Sequence, residues 1–218
     1  MASDNILFNP SDQFHSLRFP SVDREKPDSF GAFKEIVFIG DLSIIGGLKA
    51  FFDAVDLTVA QNNAFSYQIT FIGASSNLLE LSSKDYIELR ALNWDSLDIK
   101  WSIKADMDYA SILEYMTAPQ SGRLAVMPSL VDVSSVLEQE LVNAGVPFIG
   151  STQSSIAELL DSESQRMMLT KPEGEKLAQM LQDTLKQKRM FIRKTHIASF
   201  CSTNDEIFRD SRLGVFVE

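Results

Sequence analysis

Two carboxylates, Asp132 and Glu140, stand eight positions apart in the segment PSLVDVSSVLEQE, and Glu138 lies close to the second. Eight residues make about two turns of helix, so the pair would flank the start of one helix. Carboxylates there can accept paired hydrogen bonds from sugar hydroxyls, and the amides of a helix start can hold a phosphate. Taken alone, the pair favours a simpler interpretation, in which Asp132 is an N-cap worth about 1 kcal/mol and Glu140 a solvated helix residue.

Small polar residues follow each apolar run that is typical of a strand. These turns are GDLSIIGG, GASSN, KADMD, PSLVDVSS and GSTQSS. Glycine lets the backbone approach a ligand closely, and serine adds a hydroxyl group that donates and accepts hydrogen bonds. A single turn of this kind is more often a plain connector, so only their joint placement indicates a binding site.

Apolar runs alternate with amphipathic segments along the chain. The runs EIVFIG, YQITFIG, DIKWSIKAD, RLAVMPS and VPFIGS are typical of strands in a parallel sheet. Segments between them, such as GGLKAFFDAVDLTVAQ and SSVLEQELVNAG, place apolar residues at helical spacing. This alternation predicts an α/β fold, a doubly wound, Rossmann-like parallel sheet with helices on both faces. Ligands of such sheets bind beyond the carboxyl ends of the strands, where the candidate turns lie.

The chain of 218 residues has room for one large domain and not for two. Residues 1–33 carry several proline turns and no sustained periodicity, which predicts a leader or linker that packs on the domain. Residues 34–190 are the predicted domain, ending in a short helix in SIAELLD, an apolar patch, MMLT, and the amphipathic segment EGEKLAQMLQDTLKQK. Residues 191–218 are predicted to be a tail that packs on the domain.

The composition excludes several classes of function. The net charge is −10 and the pI about 4.7, so binding to nucleic acid or to an anionic membrane surface is not expected. No apolar run reaches the roughly 20 residues of a membrane span, and no signal peptide is recognisable at the start. The single cysteine, Cys201, fits a cytoplasmic location. His15 and His196 lack neighbouring ligands at metal spacing, so no metal site is predicted.

Two segments carry a more specific pattern. KEIVFIGDLSIIGGLKAFFDAV contains a strand, a turn and a glycine-led helix. LAVMPSLVDVSSVLEQELVNAGVPFIGSTQSSIAELLD contains two acids separated by seven residues, then a Gly-x-Pro strand and a Ser-Ser-x-x-Glu turn. Together these segments, within residues 34–161, resemble the C-terminal domain of the group 1 family of retaining glycosyltransferases, which has the GT-B fold.

The resemblance implies a site for a nucleotide-diphosphate sugar, which is a substrate, and it implies no cofactor. Asp132 would contact the donor sugar and Glu140 the ribose hydroxyls, and these two are the predicted catalytic residues. The predicted donor-binding residues are Gly40 and Asp41 in the first turn, Gly73 in the second, Lys104 towards the base, Ser134 and Ser135 beside the diphosphate, and Ser155 in the last turn.

The first turn departs from the pattern of that family. The family has an arginine and a lysine there, whose charges neutralise the diphosphate, whereas this chain has Asp41 and Gly46. A second interpretation is therefore a non-catalytic binding or scaffolding module that keeps the fold. A nucleotide-dependent enzyme of another class, such as a dehydrogenase, is less favoured because no G-x-G-x-x-G sequence follows any predicted strand.

A second domain is also implied. GT-B enzymes hold the donor between two Rossmann-like domains, and the N-terminal one supplies the acceptor site. The resemblance covers only the C-terminal domain, so the implied partners are a nucleotide sugar and a separate or missing N-terminal glycosyltransferase domain. Retaining transfer to an acceptor, which the sequence does not identify, would be incomplete with this chain on its own.

Overall fold

The parallel sheet predicted from the sequence is present. A computed structural model describes residues 33–61, 65–78, 81–95, 97–119, 122–131, 136–160 and 162–187. The predicted leader, apart from Phe33, and the predicted tail lie outside these ranges, so the domain limits stay predictions. None of the helices in the described ranges is long and apolar enough to cross a membrane.

Strands and helices alternate through most of the described chain. The strands are Glu35–Ile39 (β1), Gln68–Gly73 (β2), Asn77–Leu78 (β3), Leu81–Ser82 (β4), Trp101–Ala105 (β5), Arg123–Met127 (β6), Phe148–Ser151 (β7) and Leu169–Thr170 (β8). The α-helices are Leu48–Gln61 (α1), Ser83–Asp95 (α2), Tyr109–Thr117 (α3), Val136–Asn143 (α4), Ser162–Met168 (α5) and Gly174–Gln187 (α6). A 3₁₀ helix, Ser155–Leu159, precedes α5.

Six strands form one parallel sheet in the order β5-β2-β1-β6-β7-β8. In this sheet β1 pairs with β2 on one side, where Phe38 lies opposite Phe71, and with β6 on the other, where Phe38 lies opposite Val126. After β1, the chain adds β2 and β5 on one side of β1, and then adds β6, β7 and β8 on the other side. The strand order therefore reverses between β1 and β6, the place where open α/β sheets bind ligands. This topology confirms the predicted fold class.

Alternate side chains of β1 enter two separate cores. Ile36 and Phe38 belong to the core formed with α1, α2 and α6. Val37 and Ile39 belong to the core formed with α3, α4 and α5. All five residues of β1 are buried. Because helices cover both faces of the sheet, a central strand of this kind needs apolar side chains on both of its faces. The continuous apolar run in the sequence is thus explained by helices on both sides of the sheet.

The core formed with α1, α2 and α6 is rich in aromatic side chains. The ring of Phe52 stacks on Trp94 with centroids 4.8 Å apart, and on Phe71 at 5.3 Å. Burying each such ring stabilises the fold by about 1.5–3 kcal/mol. Polar contacts then join α2 to α1, because Asp56 accepts a hydrogen bond from Trp94 Nε1 at 2.7 Å and pairs with Arg90 at 3.1 Å.

The structure contains two short features that the sequence analysis did not predict. Strands β3 and β4 form an antiparallel hairpin beyond the carboxyl end of β2. The apolar patch MMLT contains the end of α5 and all of β8, which adds a sixth strand to the sheet by pairing with the end of β7. A strand of two residues shows no alternation of apolar and polar side chains, so periodicity cannot reveal it.

A buried polar cluster joins β1, β2, β6 and α3 at the amino end of the sheet. The carboxylate of Glu35 accepts hydrogen bonds from the hydroxyls of Thr70 and Tyr115, the latter at 2.6 Å. Arg123 Nε donates to the same carboxylate at 2.7 Å, and its guanidinium lies 3.7 Å from the centroid of the Tyr115 ring. Burial raises the pKa of Glu35, but these hydrogen bonds and the charge of Arg123 outweigh it and hold the pKa below its ordinary value.

We expect this carboxylate to make the stability depend on pH. Because folding lowers the pKa of Glu35, its contribution is present above the ordinary value of 4.5 and is lost as the pH falls through the lower folded pKa. This contribution can be measured by urea unfolding of the wild type and of Glu35→Gln, from neutral pH to about pH 3. The difference in unfolding free energy between the two proteins should shrink towards acid pH, and a constant difference would contradict this expectation.

Candidate functional site

A cavity of about 250 Å³ lies beyond the carboxyl ends of β1, β2 and β6, where the strand order reverses. Its described lining comes from the ends of these strands and the turns after them, from the turns after β5 and β7, and from α3 and α4. The inner wall is apolar and consists of Ile39, Ile72, Met107, Ile112, Met127 and Leu137. The polar side chains of the described lining are Asp41, Ser129, Glu138 and Ser154. An apolar wall with a few fixed polar groups is the usual composition of a small-molecule site.

The turn after β1 forms one side of the cavity, and its backbone is tied on both flanks. Towards β2, Leu42 N donates a hydrogen bond to Ala74 O at 3.1 Å. Towards β6, Leu130 N donates to Ile45 O at 2.8 Å. The turn therefore bridges the two halves of the sheet above the strands, and it cannot shift without breaking contacts on one of them.

The amides that lead into α1 donate hydrogen bonds inside the same turn. Gly46 N donates to Ser43 Oγ at 3.0 Å, and Leu48 N donates to Ser43 O at 3.1 Å. Gly47 N donates to Ile44 O at 3.0 Å. A helix start binds an anion through N–H groups that lack partners in the chain, and these three amides already have them. A phosphate that bound through these three amides would have to displace those contacts.

Close backbone contacts explain the glycines of this region. A Cβ at Gly46 would overlap the carbonyl oxygen of Asp41. A Cβ at Gly73 would likewise overlap the carbonyl oxygen of Gly40. Gly47 has a φ of +86°, a left-handed value that glycine adopts without strain. The packing of the turns requires these glycines whether or not a ligand binds.

Glu138 and Ser154 meet at the cavity wall. The Ser154 hydroxyl donates a hydrogen bond to Glu138 Oε2. The same hydroxyl accepts one from Ile156 N at 3.3 Å, as the cap of the 3₁₀ helix. Glu138 is only 4% exposed and Ser154 8%, so both side chains are held in place. A carboxylate and a hydroxyl arranged in this way suit the hydroxyl groups of a ligand.

The turns after β1 and β2 bring three of the predicted donor-binding residues together. Gly40, Asp41 and Gly73 all line the cavity. Lys104 is not among the described lining residues, and its side chain is exposed, with Nζ 5.2 Å from the centroid of the Tyr115 ring. The structure thus groups the predicted residues of the first two turns and leaves Lys104 apart from them.

The other predicted site residues are not among the described residues of the cavity. Glu140 is buried on α4, 8% exposed, and is not among the described lining residues. Ser155 begins the 3₁₀ helix and is not among them either. Asp132, Ser134 and Ser135 lie outside the described residues. The roles assigned to all five stay predictions.

Glu138 and Ser154 are cavity residues that the sequence prediction did not select. Positions two apart on a helix point about 200° apart, so Glu138 and Glu140 face different surroundings. A signal was available in the sequence. Glu138, Leu141 and Val142 have the i, i+3, i+4 spacing of a buried stripe, and all three are buried. This spacing indicates that Glu138 faces inward.

The described lining of the cavity is acidic. It includes Asp41 and Glu138, whereas none of its described residues is a lysine or an arginine. Carboxylates on the walls repel an anionic ligand and attract neutral hydrogen-bond donors or cations. In the described part of the chain, no group of three or more His, Cys, Asp or Glu side chains is placed to hold a metal ion.

Comparison with known proteins finds likeness among solved structures. No protein-family model matches the chain, and no curated protein matches it. The chain is similar to the C-terminal domain of a group 1 family glycosyl transferase from Francisella tularensis, with a TM-score of 0.60 and 15% identity over 81% of this chain and 88% of that one. It is similar to a UDP-forming α,α-trehalose-phosphate synthase from Burkholderia xenovorans, solved with glucose-6-phosphate, with a TM-score of 0.60 and 14% identity over 82% and 42%. It is also similar to the N-terminal domain of a Candida albicans trehalose-6-phosphate phosphatase, with a TM-score of 0.53 and 15% identity over 71% and 36%.

These likenesses establish the fold. The chain has the Rossmann-like fold of the C-terminal domain of GT-B glycosyltransferases, which confirms the resemblance noted in the sequence at the level of structure. The chain spans 36% and 42% of the phosphatase and synthase structures, but 88% of the isolated C-terminal domain. It corresponds to one domain of the larger proteins.

Proposed function

We propose that this chain is the donor-binding domain of a glycosyltransferase. It binds a nucleotide-diphosphate sugar in the cavity beyond β1, β2 and β6, for retaining transfer of the sugar to an acceptor. The acceptor site belongs to a separate N-terminal domain, so the chain alone is an incomplete enzyme. The nucleotide sugar is the substrate, and no cofactor is proposed.

The position of the cavity carries this proposal. It lies where the strand order reverses, in a fold shared with a group 1 family glycosyl transferase and with a synthase named as UDP-forming. Glu138 and Ser154 add a carboxylate and a hydroxyl that suit the hydroxyls of a ribose or a sugar. Asp132 and Glu140 remain the catalytic residues that the resemblance implies.

A second candidate is a non-catalytic binding or scaffolding module with the same fold. One observation favours this second candidate: the described lining of the cavity contains Asp41 and Glu138 but no lysine or arginine. Transfer from a nucleotide-diphosphate sugar needs stabilisation of the departing diphosphate, usually by cations or amides. One of the similar structures belongs to a protein named a phosphatase, so the fold is not confined to proteins named for sugar transfer.

Calorimetric titration of the chain with UDP-glucose, GDP-mannose and ADP-glucose tests the donor site. We expect one of these ligands to bind with a micromolar Kd. Asp132→Ala, Glu138→Gln and Glu140→Ala should each weaken that binding about tenfold, because a hydrogen bond to a charged group contributes about 1.5–3 kcal/mol. Thermal unfolding of each variant shows whether it is folded before titration.

Asp183→Ala is the matched control for these variants. Asp183 is exposed on α6, and α6 packs on the core across the sheet from the apolar wall of the cavity. This variant should bind with the affinity of the wild type. If none of the three nucleotide sugars binds at millimolar concentration, the donor site is wrong and the scaffolding module becomes the leading candidate. Binding that Asp132→Ala, Glu138→Gln and Glu140→Ala all leave unchanged would place the ligand elsewhere.

A further inference from the structure

We propose that the basic segment of this chain, residues 188–200, packs on the outer face of α2. The sequence of the segment is KRMFIRKTHIASF; it follows the end of α6 at Gln187 and lies outside the described residues. The inference goes beyond the donor site and does not depend on it, because α2 packs in the core across the sheet from the apolar wall of the cavity.

The outer face of α2 is apolar where a surface helix is normally polar. Ile87 and Trp94 face inward and belong to the core. Leu89 and Leu92 lie three positions apart on the outer face and are 58% and 61% exposed. Leu97, just beyond the end of the helix, is 54% exposed. A helix with apolar residues on all sides is typical of an element that is covered on all sides.

Carboxylates surround these exposed leucines. The exposed acids of the described part of residues 83–100 are Asp85, Glu88, Asp95 and Asp98. The exposed bases of the same stretch are Lys84 and Lys100, and Lys84 Nζ already lies 3.7 Å from a carboxylate oxygen of Glu88. An apolar face with an excess of carboxylates around it attracts a partner that is both apolar and basic.

The basic segment has this composition. Its basic residues are Lys188, Arg189, Arg193 and Lys194, and it contains no aspartate or glutamate, in a chain whose net charge is −10. Its large apolar residues are Met190, Phe191, Ile192, Ile197 and Phe200. Burial of apolar side chains from both surfaces favours docking, and the opposite charges around them favour this face over others.

The ends of α2 and α6 lie at the same end of the sheet. Parallel strand β5 follows α2, so α2 ends at the amino end of the sheet. α6 follows parallel strand β8, and Leu185 in its last turn belongs to the same core as Phe33, which precedes β1.

The segment is long enough to join these two ends. Asp53 of α1 packs against Gly174 at the start of α6 and pairs with Arg90 of α2 at 3.0 Å, so α1 contacts both helices. Packed helices lie 8–10 Å apart, which places the ends of α2 and α6 roughly 20 Å from each other. Residues 188–200 span more than about 40 Å when extended. The segment therefore reaches the outer face of α2 without strain.

Cross-linking through the single cysteine of the chain tests the inference. Cys201 directly follows the basic segment, and Leu92→Cys adds a second thiol on the outer face of α2. The matched control is Asp183→Cys, at an exposed position of α6 close to Gln187. A short bismaleimide should link the two thiols of one chain about tenfold faster in Leu92→Cys than in Asp183→Cys, because docking raises the local concentration of Cys201 beside α2. Mass spectrometry of the full chain measures both rates.

Charge reversal within the segment is the second arm of the test. In the Leu92→Cys background, Arg193→Glu/Lys194→Glu should slow the cross-linking about tenfold, because the carboxylates around the face then repel the segment. Arg209→Glu/Arg212→Glu makes the same change of charge outside the segment and should leave the rate unchanged.

Three results would overturn the inference. The first is equal cross-linking of Leu92→Cys and Asp183→Cys, which is expected of a segment that does not dock on α2. The second is a rate that Arg193→Glu/Lys194→Glu leaves unchanged. The third is a product of doubled mass, which would show that a second copy of the chain covers the face. None of these results bears on the donor site, which the titration with nucleotide sugars tests separately.

Discussion

Replacing Gly46 by lysine is expected to destabilise the fold and not to supply a cation to the cavity, whose described lining has none. The new Cβ would overlap the carbonyl oxygen of Asp41 and lie 2.9 Å from its carbonyl carbon. These are backbone atoms of a turn that is tied to both neighbouring turns, so the overlap cannot relax through side-chain motion. Overpacking of this kind costs up to about 3 kcal/mol, and we expect a loss of about that size in the unfolding free energy measured with urea.

Asp41→Lys is the control that separates the effect of charge from that of space. It introduces the same side chain into the same turn, but at an exposed position, so its unfolding free energy should stay within about 0.5 kcal/mol of the wild type. If Gly46→Lys unfolds with the free energy of the wild type, the turn adapts and the close contact with Asp41 imposes no constraint. Only then would glycine at this position be a simple exchange for the basic residue that the resembling family carries there.

Arg123→Met is expected to lower the unfolding free energy by about 3 kcal/mol at neutral pH, because it leaves the buried carboxylate of Glu35 without its cation. Arg123 pairs with Glu35 at 2.7 Å, and the two side chains are 19% and 9% exposed. Methionine keeps much of the side-chain volume, so the loss arises chiefly from the unpaired charge. Urea unfolding at neutral pH measures it.

The double variant Glu35→Gln/Arg123→Met completes a mutant cycle. Because it removes the charge together with its partner, it should recover part of the stability that Arg123→Met alone loses. Glutamine retains groups that can bond to Thr70 and Tyr115. If the stability losses of Glu35→Gln and Arg123→Met simply add in the double variant, the ion pair contributes little. Packing of Arg123 on the Tyr115 ring would then account for the loss in Arg123→Met.

Much of the fold follows from the sequence because the central strands are buried on both faces. The run EIVFIG is continuous and apolar because residues of β1 alternate between two cores, and the same holds for the strands beside it. The prediction fails where elements are too short to show a period. Strands β3, β4 and β8 each contain two residues, which is too few to show an alternation of apolar and polar side chains.

The candidate site was predictable in position but less so in its residues. Parallel strands ending at one edge bring Gly40, Asp41 and Gly73 together, as the alternation of elements predicts. The prediction took Glu140 from the family resemblance and passed over Glu138, although the spacing of Glu138 with Leu141 and Val142 indicates that Glu138 faces inward. Whether an amide is free or bonded within its own turn is equally a matter of three-dimensional contacts, and no residue pattern records it.

The aromatic cluster gives the molecule an internal fluorescent reporter. Both tryptophans of the chain, Trp94 and Trp101, lie in or against the core that contains α1, α2 and α6, and the Trp94 ring stacks on Phe52. The cavity draws its apolar wall from the opposite core. Tryptophan emission therefore follows the folding of one layer of the sheet, and a change in emission when a ligand is added would reveal a displacement transmitted through the strands.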